Sequence, residues 1–387
     1  MVASLALLAL LVTATPGRAA ERIWLEVKAP HEKGHVRGPV GLVEVRGWAG
    51  TGIRGKHDVI VAVDRSSSVW KASGIDVDGD GVIGRPRRGG LGETIDRTTD
   101  PGDTVFRAEL MAARRLVERL DPATSRIGIL SFTDHARLRA PLGSSRDTLQ
   151  RTLSELPDPP ASAGTSFYWA ILDALQAFRD APAKDGPKRL RSLVLLSDGA
   201  PTRPPPPDKA ARFALHAARE AAREGVRIYA FGLGPDAISS PAIFSRIARI
   251  TQGELLLVDH PADVIEQVPY LSLTKLTGVE IDNLSMSQSA RAIRLLPDGS
   301  FDGYAPLRPG ANIVRVRVRT ADSERFVDRR IFFEKIEPRT REEVAAADAL
   351  LKRLELRTLE AQLAAEVRVK RARLRARTRE LEVVVEE

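Results

Sequence analysis

A chain of 387 residues, 43% hydrophobic and 28% charged, is long enough for two or three domains and apolar enough to bury a core, so a chain disordered throughout is excluded. It contains no cysteine, which excludes disulfides, zinc–thiolate sites and a cysteine nucleophile. The net charge of +8 is local: Arg368, Lys370, Arg371, Arg373, Arg375, Arg377 and Arg379 crowd one short run, and without them the chain is nearly neutral.

In chain order, Ala3 to Thr15 is an almost unbroken apolar stretch followed by Pro16-Gly17-Arg18-Ala19-Ala20. It is too short to span a bilayer comfortably and matches the apolar region of a secretory signal, residues 1–20, with cleavage near Ala19 or Ala20. No Lys or Arg precedes the run, which leaves a short uncleaved anchor as the alternative. The expectation is export, to the periplasm, the cell surface or the medium.

Residues 21–50 alternate in Ile23 to Val27 and again in Val40 to Ala49, which reads as two strands. Two strands are not a stable unit. Candidate partners lie far along the chain, at Gly278 to Leu284, Ala292 to Leu296, Asn312 to Arg319 and Arg325 to Glu334, and Ile313 to Arg319 alternates apolar with basic residues. With the Pro309-Gly310-Ala311-Asn312 turn, residues 275–336 look like an immunoglobulin-like β-sandwich of the bacterial surface type. The expectation is that residues 57–271 are inserted into this sandwich; the alternative is a separate N-terminal hairpin lying on them.

Within 57–271, strand and helix patterns alternate as a doubly wound, Rossmann-like α/β sheet requires. The apolar run Val59 to Val63 ends in Asp64-Arg65-Ser66-Ser67-Ser68, so a buried strand delivers a carboxylate and spaced hydroxyls to its carboxyl end. Gly164-Thr165-Ser166 precedes a helix pattern, and Ser197-Asp198-Gly199 follows the run Leu193 to Leu196. Both segments fall where loops leave the carboxyl edge of a parallel sheet. Hard oxygen donors of this kind suit Mg²⁺ or Mn²⁺.

This order, D-x-S-x-S, then G-T-S, then S-D-G after a strand, resembles the metal-ion-dependent adhesion site of von Willebrand factor A domains. The resemblance implies that Asp64, Ser66, Ser68, Thr165 and Asp198 hold the metal, directly or through water, and leave one position for an acidic side chain of a partner protein.

Residues 69–103 form an insertion longer than a usual strand-to-helix connection. It contains Asp76-Val77-Asp78-Gly79-Asp80-Gly81-Val82, similar to the calcium loops of EF-hands, dockerins and thrombospondin type-3 repeats, with Asp76, Asp78, Asp80 and Val82 at ligand positions. Arg87 stands where such loops carry a bidentate acid, and Glu93, Asp96, Asp100 and Asp103 are alternative sources of the missing oxygens. A second segment, Pro201 to Pro207, holds five prolines beside Asp198 and reads as a stiff wall that either docks a partner or shapes the loop.

From residue 339 to 387 long charged residues, Ala and Leu dominate, and Arg341 to Arg379 has no Gly or Pro, which reads as one long helix. Its basic end is a candidate contact for an acidic envelope polymer or anionic lipid, or a solvated face; nucleic acid is not expected for an exported chain.

The histidines, His31, His35, His57, His135, His216 and His260, are scattered, and no Walker A or G-x-G-x-x-G segment follows the first strand of the α/β body. The chain is therefore read as a metal-dependent adhesion-type binding module and not as an enzyme. The alternatives are a structural subunit of an envelope assembly and, from another class, a metal-dependent hydrolase.

Overall fold

The computed structural model describes residues 22–52, 55–87, 97–181, 189–338 and 340–386. The expected export signal and the acidic candidates Glu93 and Asp96 lie outside the described residues. Among the described residues no helix is long and apolar enough to cross a membrane.

Strands β1 (Ile23–Ala29), β2 (Gly34–Gly38) and β3 (Leu42–Thr51) open the chain. Alternation predicts two strands here and the chain forms three. Strand β2 was hidden because only Val36 of its five residues contributes an apolar side chain to the core.

Strand β4 (His57–Asp64) is buried along its whole length, as expected of a parallel strand covered on both faces. Among its described residues the long insertion holds a two-stranded ribbon, β5 (Pro86–Arg87) with β6 (Arg97–Thr98), and a 3₁₀ turn, Pro101–Asp103, before α1 (Val105–Arg119), whose start is capped by Thr104. There follow β7 (Ser125–Phe132), β8 (Ala136–Ala140), α2 (Arg146–Ser154), α3 (Phe167–Asp180) and β9 (Leu190–Ser197). Helix α4 (Pro207–Arg223), β10 (Val226–Leu233), α5 (Pro235–Ser239), α6 (Ala242–Ile250), β11 (Glu254–Val258) and α7 (Val264–Gln267) complete the body. In the segment from Pro261 to Tyr270 the chain makes the single turn of α7 between two 3₁₀ turns. Pro269 lacks the backbone N–H that a continuous helix needs, whereas Pro261 stands at a first position where proline is tolerated.

The sheet order is β11-β10-β9-β4-β7-β8, with β8 antiparallel and the rest parallel. Val59, Val61 and Val63 face α1 through Phe106 and Leu116, while Ile60 and Ala62 face α3 and α4 through Phe167 and Ala214. Connections from β4 and from β9 leave in opposite directions, so their carboxyl ends bound the crevice where open α/β sheets take ligands.

The chain then forms β12 (Gly278–Asn283), β13 (Gln288–Ser289), β14 (Arg291–Leu295), β15 (Ser300–Pro306), β16 (Gly310–Arg319) and β17 (Glu324–Lys335). These join the first three strands in two sheets, β1-β3-β15-β14 and β13-β12-β16-β17-β2. Ile23, Val27, Val45 and Phe301 of one sheet pack on Ile281, Val314, Val316 and Ile331 of the other. The α/β body thus lies in the chain between β3 and β12 of a two-sheet unit. Strand β15 has no alternating pattern in the sequence because Asp302-Gly303 interrupts it. Asp302 is paired with Arg294 at 2.6 Å, and a Cβ on Gly303 would come within 3.0 Å of the Ile281 side chain.

Helix α8 (Arg341–Glu386) crosses both units. Leu354 packs with Ala292 and Tyr304 of the sandwich, and the Thr378 hydroxyl accepts a hydrogen bond from Leu257 N on the edge strand β11 at 3.3 Å. Part of the basic run, proposed above as a polymer or lipid contact or a solvated face, is engaged within the chain. Lys370 pairs with Asp263 at 2.6 Å, Arg375 with Glu254 at 2.5 Å and Arg377 with Asp259, while the buried Arg371 donates to Gln267 O at 2.6 Å. Most of its charge fastens the helix to the α/β body.

Candidate metal centre

Three loops meet at the carboxyl end of β4. Asp64 ends the strand, fully buried, and its Oδ1 accepts from Ser66 N at 2.7 Å while Oδ2 accepts from the Ser197 hydroxyl at 2.6 Å. The Ser66 and Ser68 hydroxyls lie 3.0 Å apart, and Ser68 Oγ donates to Asp198 Oδ1 at 2.6 Å. The loop before α3 is drawn in because Ser67 N and Ser67 Oγ both donate to Ala163 O at 3.0 Å. Thr165, in that loop, is almost buried; its N–H donates to Thr202 Oγ1 at 3.0 Å and its carbonyl accepts from Thr202 N and Arg203 N. The structure therefore brings Asp64, Ser66, Ser68 and Asp198 into one hydrogen-bonded cluster and sets Thr165 beside it.

A third carboxyl, absent from the sequence reading, closes the back of the site. Glu109, on α1 and fully buried, accepts from Asp64 N through Oε2 at 2.9 Å. Its other oxygen, and Asp198 Oδ2, are buried without a hydrogen-bond partner. Among the described residues none of the three carboxyls has an ion pair with a basic side chain. Lys71, the nearest ammonium to act on Asp198, is engaged by Asp236. Burial, then the neighbouring Asp198 charge, raises Asp64 to about 7. Burial also raises Asp198, against the pull of the Ser68 hydrogen bond and Lys71, and raises Glu109 well above the usual carboxylate range, reinforced by Asp64 and Asp198. Like charges in a dry crevice cannot all ionise unless a cation joins them. The donor set, carboxylate and hydroxyl oxygens with one carboxylate oxygen unpartnered, fits a hard divalent ion.

Glu109 was legible in one respect: it shares a helix face with Phe106, Ala113 and Leu116, all buried, so a charged residue falls on the stripe that faces the sheet.

In the insertion, Asp76 Oδ1 and Oδ2 accept from Gly79 N and Gly81 N, Asp78 from Asp80 N, and Asp80 from Val82 N. Of the alternative acids, Asp103 joins Asp76 and Asp78: one oxygen of each lies within 4.8 Å of the others. Asp80 is outside this group, and Val82 is exposed beside it. Asp103 is buried and accepts from Val77 N and Gly84 N, while Asp100 caps the turn ahead of α1 through Gly102 N. After Asp198 the chain bends at Pro204 to Pro206, and Pro207 begins α4.

Residues 94–255 match the family model described as the von Willebrand factor type A domain, a span that includes Thr165 and Asp198 and begins after Asp64. No curated protein is similar to the chain in sequence. Many solved structures align with it, and the three described next do so at low identity and with TM-scores under 0.5. A conserved hypothetical protein BatB from Bacteroides thetaiotaomicron is 20% identical, covering 53% of this chain and 91% of its own, with a TM-score of 0.36. The vWF domain of the type V pili tip protein Mfa5 from Porphyromonas gingivalis is 12% identical, covering 56% and 94%, with a TM-score of 0.36. Proximal thread matrix protein 1 from the mussel byssus, with a zinc-occupied MIDAS motif, is 16% identical, covering 56% and 47%, with a TM-score of 0.39.

Proposed function

We propose, from the match of residues 94–255 to the von Willebrand factor type A domain model and from the site described above, that the chain is an exported, metal-dependent protein-binding module and that it catalyses no reaction. The observation that carries this reading is the buried group of Asp64, Asp198 and Glu109, with Asp198 Oδ2 unpartnered and, among the described residues, no ion pair to a basic side chain. Asp64, Ser66, Ser68, Thr165 and Asp198 hold the ion, Mg²⁺ in preference on the hardness of the donors, directly or through water. When bound, the ion supplies positive charge and one open position at the crevice. An acidic side chain of a partner fills that position, and the hydroxyls of Ser66 and Ser68 orient it. Asp76, Asp78 and Asp103 form a second, calcium-type site that stiffens the insertion.

The test is calorimetric titration of the metal-free full chain with Mg²⁺ and then Ca²⁺, for the wild type, Asp198→Ala and Asp78→Ala. Asp198→Ala abolishes the Mg²⁺ event alone, and Asp78→Ala the Ca²⁺ event alone. Absence of any Mg²⁺ event in the wild type overturns the adhesion reading.

A further inference from the structure

Beside the Thr165 loop lies a run of exposed rings that the metal reading does not use. Trp169 and Phe213 are 37% and 38% exposed, and a chain of ring contacts joins them: His135 to Trp169 at 5.8 Å, Trp169 to Tyr168 at 5.0 Å and Tyr168 to Phe213 at 5.1 Å. Single exposed apolar residues need no explanation, but contiguous ones do, and aromatic residues make up only 5% of this chain.

The patch is continuous with the metal centre. Ser166 caps α3 by accepting from Trp169 N at 3.4 Å, and Ser166 N donates to Thr133 O at 2.9 Å, two residues before His135. Asp134 accepts from Gly164 N and from Arg203 Nε, so the loops carrying Thr165, His135 and Arg203 are tied together. Side chains on a helix lean toward its N-terminus, which directs Trp169 toward the crevice. Two extended steps lead from Thr165 to Phe167 and two helical steps from there to Trp169, which puts its backbone about 10 Å along the chain from Thr165. An extended segment advances about 3.3 Å per residue, so the ring meets a side chain about two to four residues from one held at the metal.

The ring planes cross at 47°, 66° and 74°, forming ridges and clefts that take branched or aromatic side chains; a flat platform for a sugar face is absent among them. Cationic side chains stand along part of the rim, while Asp173 lies near His135 and Asp208 is exposed beside Lys209. Lys209 sits over the Phe213 ring at 5.8 Å, Arg137 and Arg212 are exposed, and none of these three has a carboxylate partner among the described residues. That charge suits an acidic segment.

We propose that the rings of His135, Tyr168, Trp169 and Phe213 form the specificity half of the partner surface, and that the partner is an acidic protein segment carrying an apolar or aromatic side chain about two to four residues from its metal-bound acid. This rests on the metal reading above and names the partner of that site. The metal supplies a position open to any carboxylate; the rings decide which carboxylate-bearing segment stays.

The experiment uses fluorescent synthetic peptides with a single Asp in a Gly-Ser background, and a matched set with Leu, Phe or Trp at each nearby position. Anisotropy is read against the full chain in Mg²⁺ and in chelator, for the wild type, Trp169→Ala, Phe213→Ser and Asp198→Ala, with Mg²⁺ calorimetry on each. The expected result is Mg²⁺-dependent binding only of peptides with the added apolar residue. It weakens at least about tenfold in Trp169→Ala and Phe213→Ser while their Mg²⁺ titration is unchanged. Equal binding of both peptide sets, or binding indifferent to both ring substitutions, overturns the proposal and leaves the metal reading standing. Binding of polygalacturonate in place of every peptide overturns it in favour of an acidic polysaccharide. Loss of the Mg²⁺ event in the wild type removes the metal reading itself.

Discussion

The backbone N–H of Asp64 donates to Glu109 Oε2 at 2.9 Å, so the carboxyl end of the central strand is held from behind by a helix side chain. Glu109 is fully buried, and truncating it would leave that N–H unpaired beside a cavity. Glu109→Ala should cost about 2–4 kcal/mol of stability, the sum of a lost buried acceptor and unfilled volume. Glu109→Gln keeps both the shape and a carbonyl acceptor and should cost less than about 1 kcal/mol. Urea unfolding in the presence of chelator measures both without a contribution from bound metal. Equal losses for the two variants would show that Glu109 fills space and does not hold the strand end.

What was legible in the sequence follows from the range of the interactions. Asp64-x-Ser66-x-Ser68, the Thr165 loop and Asp198 each announce themselves locally, by a strand that ends in oxygen donors or a loop that caps a helix. Their meeting follows from the parallel order of β9, β4 and β7. Strand β15 was not legible because its Asp302 is compensated by Arg294 on the neighbouring strand and its Gly303 by contact across the sandwich, both invisible to periodicity. The intrachain partners of the basic end of α8 were not legible for the same reason. Asp259, Asp263, Glu266 and Glu254, which take up much of its charge, lie about a hundred residues upstream.

Asp298 pins the sandwich to the base of the α/β body. Fully buried, it accepts through Oδ2 from the Thr124 hydroxyl, from Ser125 Oγ at 3.3 Å and from Asp121 N at 3.3 Å, while its carbonyl accepts from Trp48 Nε1 at 2.9 Å. Asp298→Ala should cost about 2–4 kcal/mol, because several buried donors lose their acceptor together. Thr124→Val should cost about 1 kcal/mol, and the double variant should be less destabilised than the two losses added. Denaturant midpoints for the three variants provide the cycle. Strict additivity would mean that Asp298 and Thr124 act separately and the pin does not exist as a unit.

His57 begins β4 beneath the same junction, fully buried, with neither ring nitrogen hydrogen-bonded. Burial lowers its pKa from 6.5 to about 4; Asp298 opposes that shift, and Arg189 and Arg227 add to it. The unfolded chain therefore binds a proton at this residue across a range in which the folded chain does not. Stability from the neutral ring is fully present above about pH 6.5 and is lost as pH falls toward 4, by on the order of 3 kcal/mol for a shift of this size. His57→Leu removes the titration while keeping an apolar side chain at the position. The two proteins, unfolded in denaturant without metal from pH 7 down to pH 4, should show the variant gaining on the wild type as the solution is acidified. Losses from carboxylates common to both cancel in that difference. Parallel curves over the whole window would mean that His57 titrates alike in the folded and unfolded chains, and that the acid limb belongs to the carboxyls alone.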